Sequence, residues 1–295
     1  MQIRIKSTFR LLKEAFQEWQ SDKASLLAAA LAYYTVFSIT PLLVIAIAIA
    51  GAVFGQEAAQ GEILNQINGL IGEQGARVIE TGLANADKPQ ASSLASIVSV
   101  VILLVGASGV FAQLQSALNT VWNVKVKPNA GIGEFIRKRL LSFGMVLTIG
   151  FLLLVSLMFS AMLSGINKLQ INLLPGFDPI WQLLNIGVSF AFVTLLFALI
   201  YKYLPDVEIR WKDVWVGAII TALLFTLGKF FIGLYLGRGS LGSTYGAAGS
   251  LIVFLAWVFY SAQILLFGAE LTQVYARKYG KKIRPNSHAE MTRSI

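Results

Sequence analysis

Two ionisable residues, Lys229 and Glu270, stand inside otherwise apolar stretches of this 295-residue chain. A charge held at such depth is a functional candidate by default. Glu270 closes a stripe in which Tyr260, Gln263, Phe267 and Glu270 recur at i, i+3, i+7 and i+10, one face of a helix. Gln115, Asn119 and Trp122 recur at i, i+4 and i+7, with Gly106, Ser108 and Gly109 one to two turns earlier. Tyr33, Tyr34, Ser38 and Thr40 precede Pro41, which removes a backbone donor and is expected to kink its helix. Three helices aiming these groups inward would make a wet cavity. Its candidate lining is Tyr33, Tyr34, Ser38, Gln115, Asn119, Tyr260, Gln263 and Glu270, with Glu270 accepting a proton or a cation. The competing reading is interhelical hydrogen bonding for packing alone, worth roughly 1 kcal/mol or less per bond.

Other chemistries fail on residue type. The chain has no cysteine, so disulfides, thiolate nucleophiles and cysteine-ligated metals are out. Its one histidine, His288, lies near the carboxyl end, so neither a catalytic triad nor a zinc or two-metal site is expected, and no cofactor is implied. Residues 237–242 match G-x-G-x-x-G, but no strand precedes them, and Ser243 stands where a P-loop needs lysine. The glycines there, Gly237, Gly242, Gly246 and Gly249 among them, suit either close helix packing or a gate.

The elements that must carry these residues are six apolar stretches, roughly 26–54, 93–118, 140–165, 180–203, 214–237 and 245–273. Each exceeds the eighteen or so residues of a membrane-spanning helix, and without water only a helix satisfies its own backbone there. The expected fold is all-α, a polytopic bundle of six transmembrane helices. Composition agrees, with 56% hydrophobic residues, 13% charged residues and a mean hydropathy of +0.68. The 24 Lys and Arg against 15 Asp and Glu give a net charge of +9. These cations gather before the first stretch, in alternate loops and after the sixth, which places both termini in the cytoplasm. The basic surplus then reads as topology and attraction to lipid headgroups, with no nucleic-acid partner. In this topology Lys229 and Glu270 lie about 18 Å apart along the bundle at roughly 1.5 Å per residue. Direct pairing is not expected, and Lys229 either snorkels outward or has a role of its own.

Around the membrane domain (26–273), residues 1–25 read as an amphipathic helix, with Phe9, Leu12, Phe16 and Trp19 on one face. It either lies on the cytoplasmic leaflet or packs on the bundle. The acidic outer loop 55–92 predicts two short helices broken at Gly72 and Gly75. Loop 119–139 reads as connection only. Trp181, Trp211, Trp215, Tyr201, Tyr203, Tyr235 and Tyr245 sit near span ends as an aromatic belt. The basic segment 274–295 reads as a tail, disordered from about residue 281.

Several of these residues carry a resemblance. Ala28-Ala29-Ala30-Leu31-Ala32-Tyr33-Tyr34 with Ser38 and Pro41, Leu114-Gln115-Ser116-Ala117-Leu118-Asn119 with Trp122, Ser243-Thr244-Tyr245-Gly246, Trp257 with Tyr260, and Gly268-Ala269-Glu270-Leu271 are similar to the YihY / virulence factor BrkB family of bacterial inner-membrane proteins. The resemblance implies a multi-pass inner-membrane protein with six helices and both termini in the cytoplasm. That family has at times carried a ribonuclease label, which no residue here supports. The expected function is transport or translocation of an anionic or amphiphilic substrate, such as a lipid, through a cytoplasm-facing cavity. The alternative is a non-enzymatic envelope scaffold using the outer loop as its partner surface.

Overall fold

The computed structural model describes residues 2–86, 93–127, 144, 178–238, 249–280 and 283–292. In chain order the helices are α1 (Gln2–Ser21), α2 (Ala24–Phe54), α3 (Gln56–Ala86), α4 (Ser93–Val121), α5 (Asp178–Tyr203), α6 (Trp211–Arg238) and α7 (Gly249–Tyr279). Four short strands complete it: β1 (Val124–Val126), β2 (Val207–Glu208), β3 (Arg284–Pro285) and β4 (Ala289–Met291). Among the described residues, four helical stretches are long and apolar enough to cross a membrane: Ala24–Ala52, Ile186–Tyr203, Trp211–Phe231 and Gly249–Tyr279. The third expected span, 140–165, lies outside the described residues apart from the helical Gly144.

Small residues let the long helices approach. On α6 and α7 the spacing Gly-x-x-x-Thr occurs twice, as Gly217/Thr221 and Gly268/Thr272, and the two pairs interlock. A Cβ on Gly217 would stand 1.6 Å from Thr272 Oγ1, and one on Gly268 would stand 1.8 Å from Thr221 Oγ1. Each threonine hydroxyl donates to the carbonyl of its own glycine, Thr221 to Gly217 and Thr272 to Gly268, both at 2.7 Å, so neither hydroxyl is stranded in the seam. Between α2 and α4, Ser38 Oγ donates to the Gly106 carbonyl at 2.6 Å, while Gly106 and Gly109 receive Pro41 and Tyr34. Leu31, Phe111, Leu118, Trp122, Phe197 and Leu266 belong to the main apolar core these helices enclose.

The structure corrects four expectations. Element α3 is helical throughout residues 56–86, Gly72 and Gly75 included, with the halves on either side of these glycines facing a common hollow at Leu64 and Arg77. Its Ile63, Ile79 and Leu83 are buried with Leu43, Ala46 and Ile47 of α2 and Phe254 and Trp257 of α7, so α3 is packed into the bundle. Gly82 abuts Thr40, halfway along α2. Apolar residues recurring on one face outweigh two glycines whose helix cost is only about 1 kcal/mol each.

The tail is ordered through residues 283–292. β4 pairs antiparallel with β1 (Val124↔Met291, Lys125↔Glu290, Val126↔Ala289), and β3 pairs with β2 (Val207↔Pro285, Glu208↔Arg284). Composition alone reads this polar segment as disordered, yet two strand edges elsewhere in the chain supply its hydrogen bonds. The connection after α4 is therefore also more than a linker. Tyr201 is fully buried, with its hydroxyl 3.0 Å from Thr221 Oγ1 and donating to the Leu265 carbonyl at 2.7 Å, so it does not belong to an aromatic belt. Tyr203, Trp211 and Trp215 are exposed at helix ends.

Candidate functional site

Gln115 and Asn119, four residues apart, share one face of α4 and meet Asp206 in the turn after α5. Asn119 Nδ2 donates to Asp206 Oδ2 at 2.8 Å, and the Asp206 backbone N–H returns a bond to Asn119 Oδ1, also at 2.8 Å. Gln115 Nε2 donates to Oδ1 at 3.3 Å, and His288 Nε2 lies 2.8 Å from the same oxygen. The Asn286 N–H donates to the Asp206 carbonyl at 3.0 Å. Asp206 is 1% exposed, and these partners replace the water its carboxylate would otherwise bind. Neither Asp206 nor His288 was singled out by sequence, where one reads as half of a Pro-Asp turn and the other as a lone histidine in a polar tail.

Glu270 has the opposite surroundings. It is 0% exposed, and neither carboxylate oxygen makes a hydrogen bond. One turn on, Gln273 is equally buried with its amide unbonded, and the indole N–H groups of Trp19 on α1 and Trp122, just after α4, are likewise buried and unbonded. Trp122, Ala269 and Ala276 belong to the main core, and Trp19 packs against it. An uncompensated carboxylate at this burial is expensive, and most buried polar groups are bonded, so the exception calls for a role.

Helix α1 covers this region. Ala15 is fully buried against Leu271 and Val274 of α7, with Leu11 beside it. Arg277 spans Glu14 (Nη2 to Oε1, 2.6 Å) and Glu18 (Nη1 to Oε1, 3.0 Å), and Lys278 bonds the second oxygen of Glu14. Partial burial alone would raise the Glu14 pKa, but hydrogen bonds from Lys278 and Arg277, with their charges, hold it below the ordinary glutamate value. Ala15 and Trp19 thus pack on the bundle, while Phe9, Leu12 and Phe16, on the apolar face read from sequence, remain exposed.

The remaining candidates have separate neighbours. Gln263 Nε2 donates to Ser25 Oγ at 3.1 Å, and Ser38 is bonded to Gly106. Tyr260 packs on Gly228, where a Cβ would stand 2.1 Å from its hydroxyl. Tyr33 (61% exposed) and Tyr34 (43%) form an exposed aromatic group with Phe37. Lys229 is exposed on α6. Gly237 lies in α6 and Gly249 is buried at the start of α7, whereas Gly242 and Gly246 fall outside the described residues. An open hollow of about 560 Å³ does occur along α3, among Leu64, Asn65, Asn68, Arg77 and Glu80. No group of three or more His, Cys, Asp or Glu side chains is placed to hold a metal among the described residues.

The family described as Virulence factor BrkB matches residues 15–292. Similar relatives include a UPF0761 membrane protein of Verminephrobacter eiseniae, 30% identical over 281 residues, covering 90% of this chain and 61% of the relative. One of Pseudomonas aeruginosa is 31% identical over 85% of this chain and 59% of the relative, and one of Mannheimia succiniciproducens is 28% identical over 87% and 86%. The chain thus spans about three fifths of the length of the first two. No solved structure matches it. With apolar helices long enough to span a bilayer and a family match running from α1 to β4, the chain is a membrane protein that belongs to the Virulence factor BrkB family.

Proposed function

We propose that this protein is a multi-pass inner-membrane transporter that translocates an anionic or amphiphilic substrate, with Glu270 taking up and releasing the accompanying proton or cation. The supporting observation is the Glu270 carboxylate, fully buried near one end of α7 and without a hydrogen-bond partner. A buried ionisable group that no neighbour satisfies suits a site whose charge changes during a cycle. The face bearing α1, the strand pairs and the end of α7 is taken as cytoplasmic from the clustering of Lys and Arg there. The Asp206 node would hold the α4 and α5–α6 ends fixed on that face while the substrate path opens elsewhere in the bundle.

The test uses proteoliposomes holding an entrapped pH dye and nitrobenzoxadiazole-labelled phosphatidylglycerol. The parent protein is expected to move the labelled lipid between leaflets and to carry protons with it. Glu270→Gln, with unchanged yield and elution, is expected to lower the rate about tenfold or more, a barrier increase of roughly 1.4 kcal/mol. Parent vesicles indistinguishable from protein-free ones, or a Glu270→Gln variant as fast as the parent, would overturn the reading.

A further inference from the structure

We propose that α1 is a hinged lid over Glu270, clasped shut by Glu14 and Glu18 on Arg277 and Lys278. This deepens the reading of Glu270 as the charge-carrying residue and assigns the control of its access. The hinge is Lys23, whose φ of 52° puts a non-glycine residue in the left-handed region between the end of α1 and the start of α2. Such a single break lets one helix swing without disturbing the next.

The apolar footing of the lid is narrow. On its inward side Ala15 is fully buried, Leu11 and Trp19 are partly buried, and the apolar cluster it shares with α7 is small. Its opposite side exposes Phe9 (68%) and Phe16 (49%), so the bundle does not grip it all round. The clasp is ionic and close to water, its four side chains being 25–34% exposed. Pairs this exposed respond to salt and to loss of either partner. Arg277 lies seven residues, about two turns, beyond Glu270 on the same helix. Releasing it therefore loosens the part of α1 that packs, through Ala15, on Leu271 and Val274 beside Glu270.

The absence of native cysteine makes a direct test clean. Single-cysteine proteins carrying Glu270→Cys, or Lys212→Cys at an exposed reference position, are placed in nanodiscs of phosphatidylethanolamine and phosphatidylglycerol. A negatively charged maleimide is added and labelling rates are measured. With the clasp intact, position 270 is expected to label about a hundredfold more slowly than position 212. Adding Glu14→Gln and Glu18→Gln is expected to raise the rate at position 270 by about tenfold, with position 212 unchanged. Should that variant fail to fold, raising the salt on the Glu270→Cys protein gives the same readout, since screening weakens the same pairs. Position 270 labelling as fast as position 212 at the outset, or a rate unmoved by both the glutamine variants and salt, overturns the lid. Because labelling reads cover alone, its failure leaves the transport reading intact, and failure of the Glu270→Gln transport assay leaves the lid intact.

Discussion

Asn119 and Asp206, 87 positions apart, bond to each other twice, amide to carboxylate and backbone N–H to amide oxygen, both at 2.8 Å. This reciprocal pair fixes the end of α4 to the turn between α5 and β2. Asn119→Ala removes the carboxylate's closest amide donor and strands its backbone N–H at a site 1% exposed. A loss of roughly 3 kcal/mol is expected, seen as a lowered midpoint of thermal unfolding in detergent. A midpoint within a degree of the parent would mean that water or a rearranged Gln115 replaces the amide.

His288 and the strand pairs bring the tail to the same carboxylate. Asp206→Ala is expected to release residues 283–292 and to speed cleavage after Glu290 by a glutamate-specific protease, which mass spectrometry of the fragments would detect. His288→Ala should act in the same direction but less, because β1–β4 pairing and the Lys127–Ser287 bond of 2.7 Å remain. Equal cleavage in the parent and Asp206→Ala would show that the tail is held by its strands alone.

The α6–α7 seam offers a rescue experiment. Gly217→Ala puts a methyl group into the Thr272 side chain and should cost about 3 kcal/mol, as overpacking does when backbones must separate. Adding Thr272→Gly empties that space, so the double variant should recover part of the loss. Unfolding midpoints of the two single variants and the pair decide it. Simple addition of the two losses would show that the helices already move apart to admit a methyl group.

The Glu14 clasp has a direction in pH. Its folded-state pKa lies below the ordinary 4.5, so its contribution is present above about pH 4.5 and is lost as pH falls through the folded value. Labelling at Glu270→Cys should therefore quicken in acid once corrected for the maleimide's own pH dependence. Glu14→Gln should flatten that rise. A profile identical in both proteins would exclude Glu14 as the acid-sensitive contact.

Helix α3 is part of the core and not a detachable outer loop. Ile79→Ala is expected to cost about 3 kcal/mol through the cavity it opens against α2 and α7. Deleting residues 56–88 should abolish monodisperse purification altogether. A deletion that stays folded would return α3 to the role of a surface module and revive the scaffold alternative.

The sequence determined the class of molecule through physics that acts locally. Long apolar runs must be helices where no water can satisfy the backbone, and residues such as Glu270, Gln115 and Asn119 stand out because polar groups are costly among them. Periodicity also gave α1 its amphipathic character and put Gln115 and Asn119 on one face. What lay beyond reach were partners set by distance along the chain. Asp206 is an ordinary turn residue until Asn119 and His288 arrive, and residues 283–292 look like a free tail until β1 and β2 offer edges. Glu14 and Glu18 read as the polar side of an interfacial helix until Arg277 faces them. Only tertiary structure decided these, because each depends on groups 76 to 263 positions away that no local pattern encodes.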